Sequence, residues 1–300
     1  MTEWFLAIEG TESGRQFAFF LALMAGVLHA AFGAMQKGSV DPWIMRGAID
    51  ISYGLMALPI VIYIVPWPET YQFVILVGVW FIHTAYKILQ AMAYTRGAYT
   101  VVYPIVRGSA PLFNVIGAYF LFGEIFRLGE WFGLLILLSG IFGLAIYNLV
   151  TNEVDRKTLN MALGLAFCTG LFVALYTTYD AYGIRNSADP FTFVAWLFLI
   201  DSFAMPILGF VYAQKNKILL RGNGLFWRGP IGGVLAVTSF GSILLATRLD
   251  KVGEAAILRE TSVIFAALMG WLFLKEKVGA YRLILMSLIV LGAVLVEFLE

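Results

Sequence analysis

Long apolar runs broken by short polar stretches dominate the chain. A helix needs about 20 predominantly apolar residues to cross a bilayer core. Measured with that ruler, the pattern predicts ten spans, at roughly 17–36, 44–65, 72–94, 98–122, 131–150, 161–183, 191–213, 226–247, 254–274 and 280–299. The longest polar connections are 151–160 and 214–225, and neither is long enough for a soluble domain. Residues 1–16 carry Glu3, Glu9 and Glu12 before the first base, Arg15, which is the wrong charge for a signal-peptide start. The expected fold is an all-α integral membrane protein with a short N-terminal segment, 1–16.

Composition strengthens this picture. Apolar residues make up 61% of the 300 and charged ones 13%, where soluble proteins hold roughly 45–50% and about 25%. The net charge of +1 gives no basic surplus for nucleic acid. A single cysteine, Cys168, rules out an intrachain disulfide, and two histidines beside it make no ordinary zinc site. Phosphate-loop, nucleophile-elbow and H-E-x-x-H patterns are missing, so no catalytic residue, metal or cofactor is expected and ATP-driven transport within the chain is excluded.

Internal repetition organises the spans. Lys37-Gly-Ser-Val-Asp-Pro42 recurs 148 positions later as Arg185-Asn-Ser-Ala-Asp-Pro190. A shift of 152 lays Arg107 on Arg259, Phe113 on Phe265, Glu124 on Glu276, Gly140 on Gly292 and Tyr119 on Trp271. The chain then divides into 17–150 and 151–300, five spans each. Five is odd, so the second half enters the membrane opposite to the first, and a site is expected at the interface of these inverted repeats near the midplane.

At His29-Ala-Ala-Phe32 with Lys37, at Tyr103-Pro-Ile-Val-Arg-Gly-Ser-Ala-Pro111, at Ala174-Leu-Tyr-Thr-Thr-Tyr-Asp180 with Gly183 and Arg185, and at Leu258-Arg-Glu-Thr-Ser262, the sequence resembles the drug/metabolite transporter superfamily, EamA type, in a bacterial branch. The resemblance spans about residues 17–298. It implies a ten-helix carrier built from two EamA-type five-helix repeats, in a bacterial inner (cell) membrane.

An ionised group at a helix centre costs about 2.5–3.5 kcal/mol even on lenient scales, so charges kept within spans are expected to face a protein interior or water. That set is Lys87, Arg107 and Arg259 with Asp180 and Glu260, beside His29 and His83; Asp50 and Asp201 also fall within spans but lack repeated surroundings. Trp80, His83, Lys87, Gln90 and Tyr94 advance by three and four and share one helical face. Arg96, Tyr103 and Arg107 in one span, and Thr169, Tyr176 and Asp180 in another, advance by seven and four. Buried interhelical hydrogen bonding is the competing explanation for each tyrosine, threonine or histidine. Pro104, Gly108 and Pro111 mark the fourth span as a hinge that frees carbonyls toward a cavity, unless it is a merely bent packing helix. Gly129-x-x-x-Gly133 and Gly229-x-x-x-Gly233 are packing motifs.

These residues predict a secondary carrier of a small polar or amphipathic metabolite, a carboxylate or zwitterion, moved by alternating access. Arg107, Arg259, Lys87, Tyr103, Tyr176, Trp80 and His29 are the substrate-binding set, and Glu260, Asp180 and His83 the coupling set, with protons or an exchanged solute as the open alternatives. Arg107 and Arg259 are expected opposite Asp180 and Glu260. The rival from another class is an intramembrane enzyme acting on a lipid-like substrate with His29 or His83 as base; a structural subunit is a third. Orientation is contested. The N-terminal face holds 5 lysines and arginines and the opposite face 12, which favours termini outside the cytoplasm, while the resemblance implies termini inside.

Overall fold

A computed structural model describes the chain except residues 1, 37–39, 97–98, 152–155, 219–223, 263, 266–278 and 300, together with some side chains beside them. Every element among the described residues is helical: α1 (Thr2–Ile8), α2 (Glu12–Gln36), α3 (Pro42–Tyr63), α4 (Thr70–Arg96), α5 (Tyr99–Phe122), α6 (Leu128–Thr151), α7 (Arg156–Arg185), α8 (Pro190–Asp201), α9 (Ala204–Lys215), α10 (Leu225–Leu249), α11 (Val252–Arg259) and α12 (Ala280–Phe298). Eight stretches are long and apolar enough to cross a membrane, α8 and α9 together forming one of them. Large apolar side chains such as Phe20, Leu55, Phe81, Leu135 and Ile207 stand exposed on the outside of the bundle, where acyl chains and not water would meet them. Lys37, Trp271, Glu276 and the later part of the ninth span lie outside the described residues, as do the side chains of Tyr103 and Pro104.

The repeated Asp-Pro pairs have a structural meaning. Asp41 accepts a hydrogen bond from the Trp43 amide and Asp189 from those of Phe191 and Thr192, each followed by proline in the first helical turn, where its missing N–H costs nothing. The motif starts α3 and α8.

Packing pairs helices from opposite halves. α2 lies along α10 and α4 along α7; α5 contacts α7 as α11 contacts α2; α3 packs on α8 and α9, α5 on α11, and α6 on α12. Small residues allow the closest approaches. A Cβ on Gly133 would fall 2.7 Å from the Val296 amide and 2.8 Å from the Gly292 carbonyl, and one on Gly229 would fall 3.2 Å from Ala48 Cβ. Both G-x-x-x-G motifs therefore sit at helix contacts.

Three boundaries depart from the sequence pattern. Residues 2–8 form α1, whose Phe5 is buried against Phe191, and Thr2 donates to Asp189. α2 begins at Glu12, not near 17. The hinge positions Pro104, Gly108 and Pro111 lie inside an uninterrupted α5. Helix interruptions occur at Ser202–Phe203 between α8 and α9 and at Glu260–Thr261 after α11. Each break sits against a glycine: Gly54 of α3 faces Ser202, and Gly26 of α2 faces Thr261 and the Arg259 carbonyl. A side chain at either position would push the neighbouring helix off the irregular backbone.

At the face where the termini lie, charges close the helix ends. Arg185 donates to the carbonyls of Thr247 and Asp250 at the end of α10, and Arg248 to those of Ile184 and Ser187 at the end of α7. Glu124 accepts from the Val252 and Gly253 amides at the start of α11 and pairs with Arg185 at 3.1 Å. Cations thus sit at helix carboxyl ends and a carboxylate at an amino end, as the helix dipole favours.

Candidate functional site

Lys87 is the centre of the buried polar interior. Its ammonium, fully enclosed, lies 2.6 Å from Asp50 Oδ2, 2.8 Å from Asp201 Oδ2 and 2.8 Å from the Tyr53 hydroxyl, which in turn donates to Asp201. Arg46 Nε reaches Asp50 Oδ1 at 3.1 Å, one helical turn away. On the other side, His83 Nε2 lies 2.7 Å from Asp180 Oδ2 and Nδ1 lies 3.4 Å from Asp201 Oδ1. The break after α8 contributes directly. It releases the Asp201 carbonyl, which accepts from Lys87 at 3.1 Å. Unwound backbone at this depth is satisfied by a side chain from another helix.

A second cluster forms at the other break. Arg107 Nη1 holds Glu260 Oε1 at 2.9 Å, and Arg259 Nε stands 3.8 Å from the same oxygen. Glu260 is fully enclosed and Arg259 nearly so. Nε and Nη2 of Arg259 have no hydrogen-bond partner among the described residues, although an ionised guanidinium is among the most costly groups to leave unsatisfied.

Between the clusters lies a cavity of about 60 Å³, room for roughly four water molecules. Arg259, Arg46, His83 and Asp201 give it polar corners. Its wall is aromatic: the Tyr176 ring lies 4.9 Å from those of both His83 and Tyr86 and 5.7 Å from that of Phe240. A smaller space of about 20 Å³ shares His29, Phe32, Tyr86 and Tyr176 with it and extends to Arg107, Gln90 and Tyr94.

Of the residues expected to bind substrate, Arg259, Tyr176 and His29 line the larger cavity, and Arg107 the smaller. Lys87 is instead sealed among carboxylates. Trp80 is half-buried, with its ring against Phe81 and away from both spaces, because the α4 stripe turns into the cavity only from His83 onward. Tyr103 lies on α5. The four buried partners sort differently from expectation: Glu260 meets Arg107, but Asp180 goes to His83. Asp50 and Asp201, set aside in the sequence for want of repeated surroundings, are the carboxylates that hold Lys87. One signal pointed to Asp201. The 148-residue shift that aligns the Asp-Pro pairs lays Tyr53 on Asp201, and these two residues touch.

The bundle and its enclosed ionic interior define a multi-pass membrane protein. Residues 160–298, just under half of the chain, match the EamA-like transporter family, in accord with the drug/metabolite transporter superfamily. A solved crystal structure of a protein, 16% identical, superposes with a TM-score of 0.74 over 96% of this chain and 99% of that one, which establishes a shared fold. No curated protein matches the sequence.

Proposed function

We propose that the protein is a secondary carrier for a small organic carboxylate, working by alternating access between two inverted five-helix halves. The observation that carries this reading is Arg259, a buried guanidinium on the cavity wall with two nitrogens that have no hydrogen-bond partner among the described residues. Arginine grips a carboxylate through two parallel hydrogen bonds, and the aromatic wall suits an apolar body attached to it. A zwitterion is disfavoured. The one carboxylate lining the cavity among the described residues, Asp201, is already held by Lys87 and Tyr53 on one oxygen and faced by His83 on the other, which leaves little for an ammonium group.

Two features support the inverted-repeat mechanism. Helix contacts occur in exchanged pairs, α2–α10 with α4–α7 and α5–α7 with α11–α2, as a pseudo-twofold axis in the membrane plane would produce. The cavity lies where those pairs meet and where irregular backbone ends α8 and α11. The alternative of an intramembrane enzyme with His29 or His83 as base gains no support, since the family match is to transporters.

The test is ligand-induced thermal stabilisation of the purified protein, using 4-hydroxybenzoate, benzoate, succinate, phenylalanine and phenethylammonium. Monocarboxylates should stabilise it, by about 2.7 kcal/mol at 100 times the Kd. Arg259→Lys should weaken that binding by about 1.5–3 kcal/mol, the value of a hydrogen bond to a charged group. Stabilisation by phenethylammonium alone, or equal binding by Arg259→Lys, would defeat the assignment.

A further inference from the structure

Three candidates stand apart from the carboxylate site: the ion pairs closing the terminal face, the seat of α1 on α8, and the contact between His83 and Asp201. The third reaches furthest. Asp201 Oδ1 is buried and has no hydrogen-bond partner among the described residues, yet it faces His83 Nδ1 at 3.4 Å, and both residues open onto the cavity. His83 Nε2 is committed to Asp180 at 2.7 Å. With a proton on Nε2 only, the Nδ1 lone pair points toward a carboxylate oxygen and neither has a donor. One added proton on Nδ1 turns that opposition into a charge-assisted hydrogen bond.

We propose that the gap between His83 Nδ1 and Asp201 Oδ1 is the binding site for one transported proton, carried in the same direction as the carboxylate. The proposal rests on the carboxylate-carrier reading given above. Charge arithmetic sets the stoichiometry. Around the cavity and its two ion-pair clusters, among the described residues, four cations (Arg46, Lys87, Arg107, Arg259) balance four carboxylates (Asp50, Asp180, Asp201, Glu260) when His83 is neutral. The empty interior is then neutral. A carboxylate at Arg259 alone leaves it at −1, a proton on His83 alone at +1, and both together restore zero. Enclosing a net charge in low dielectric is costly, so the empty and doubly loaded forms are the ones that close.

The groups facing His83 agree with this account. From α3 they are Asp50, Tyr53 and Arg46; from α4, Tyr86 and Lys87; from α7, Tyr176 and Asp180; from α8, Asp201. The α10 face adds Phe240, which carries no charge, while His29 and Arg259 lie across the cavity. The fixed cations already carry their protons, and the competing bases Asp50, Asp201 Oδ2 and Glu260 are held by Lys87 or Arg107, which leaves the place between His83 Nδ1 and Asp201 Oδ1 for the extra proton.

The chain has only two histidines, so nitrogen-15 histidine labelling in lipid nanodiscs gives two ring signals, and His29→Gln assigns them. In the ligand-free protein, His83 Nδ1 should gain a proton as pH falls, while Nε2 stays protonated throughout. Saturating 4-hydroxybenzoate should shift that protonation to higher pH. In proteoliposomes corrected for protein-free vesicles, an inward gradient of one pH unit should drive about tenfold accumulation of 4-hydroxybenzoate, with no charge movement. His83→Gln should abolish the pH-driven part. A His83 Nδ1 that keeps one protonation state, bare or protonated, from pH 4 to 9, or uptake that carries current, would overturn the proposal. Failure of every carboxylate to bind would instead overturn the carrier reading, and the nitrogen-15 titration would still decide the proton site by itself.

Discussion

Lys87→Met removes the one cation that holds two carboxylates of separate helices together. The lysine is completely buried, and its loss leaves Asp50 with only Arg46 at 3.1 Å and Asp201 with the Tyr53 hydroxyl and His83. Removing one member of a buried pair costs about 3–5 kcal/mol, chiefly because the abandoned charge stays in low dielectric. Methionine matches the length of the stem, so packing changes contribute little. At about 2 °C per kcal/mol for a large domain, the apparent melting temperature in detergent should fall by about 6–10 °C. The second half of the experiment gives the cause. Lys87→Met combined with Asp50→Asn removes one charge of each sign and restores neutrality, and should recover at least half of the loss. The readout is the fraction of monodisperse protein after heating, measured by fluorescence-detected size exclusion. A single variant within 2 °C of the parent, or a double variant no better than the single, would refute the view that ion pairing to Lys87 holds α3, α4 and α8 together.

Glu260→Gln deletes the carboxylate shared by Arg107 and Arg259, so the pair should bind 4-hydroxybenzoate roughly tenfold more tightly at pH 8 in a calorimetric titration; weaker binding would mean that Glu260 orients Arg259. Gly133→Val forces a Cβ against the backbone of α12, 2.7 Å from the Val296 amide, and should lower thermal stability by about 1–3 kcal/mol while leaving the Kd for 4-hydroxybenzoate unchanged. A reporter fused to the carboxyl end should be silent if active only in the cytoplasm, because lysines and arginines number 5 on the terminal face and 12 on the other. A bright cytoplasmic reporter would show that the charge count misplaces the chain.

The helices were legible because lipid imposes a single length on apolar runs, and most spans fall within a few residues of their helices. The α4 stripe was legible in part: His83, Lys87, Gln90 and Tyr94 do turn inward, but periodicity cannot tell where along a helix a cavity begins, so Trp80 looked equivalent and is not. The partners of Lys87 were illegible for a different reason. Asp50 and Asp201 lie 37 and 114 positions away, and only the crossing of three helices brings them together. Proline is the strongest local breaker in sequence and drew attention to the fourth span, where α5 carries Pro111 within its length; the interruptions after α8 and α11 have no such local mark. The actual breaks at Ser202 and Glu260 are stabilised by long-range partners, Lys87 for one carbonyl and Arg107 for one carboxylate. Local propensity does not record such partners.

The seat of α1 bears on the order in which the protein is assembled. Thr2 meets Asp189 and Phe5 meets Phe191, while Glu9 pairs with Arg248, so these residues wait for partners made 186 to 239 positions later. At about 5–20 residues per second, that delay is roughly 10–50 s. Until α8 and α10 are threaded into the bilayer, Phe5 has no pocket and Glu9 no guanidinium. A ribosome that stalls within the second half leaves these groups exposed at the membrane surface, where quality-control proteases act. Docking of the first helix therefore marks a chain that has been synthesised through α10.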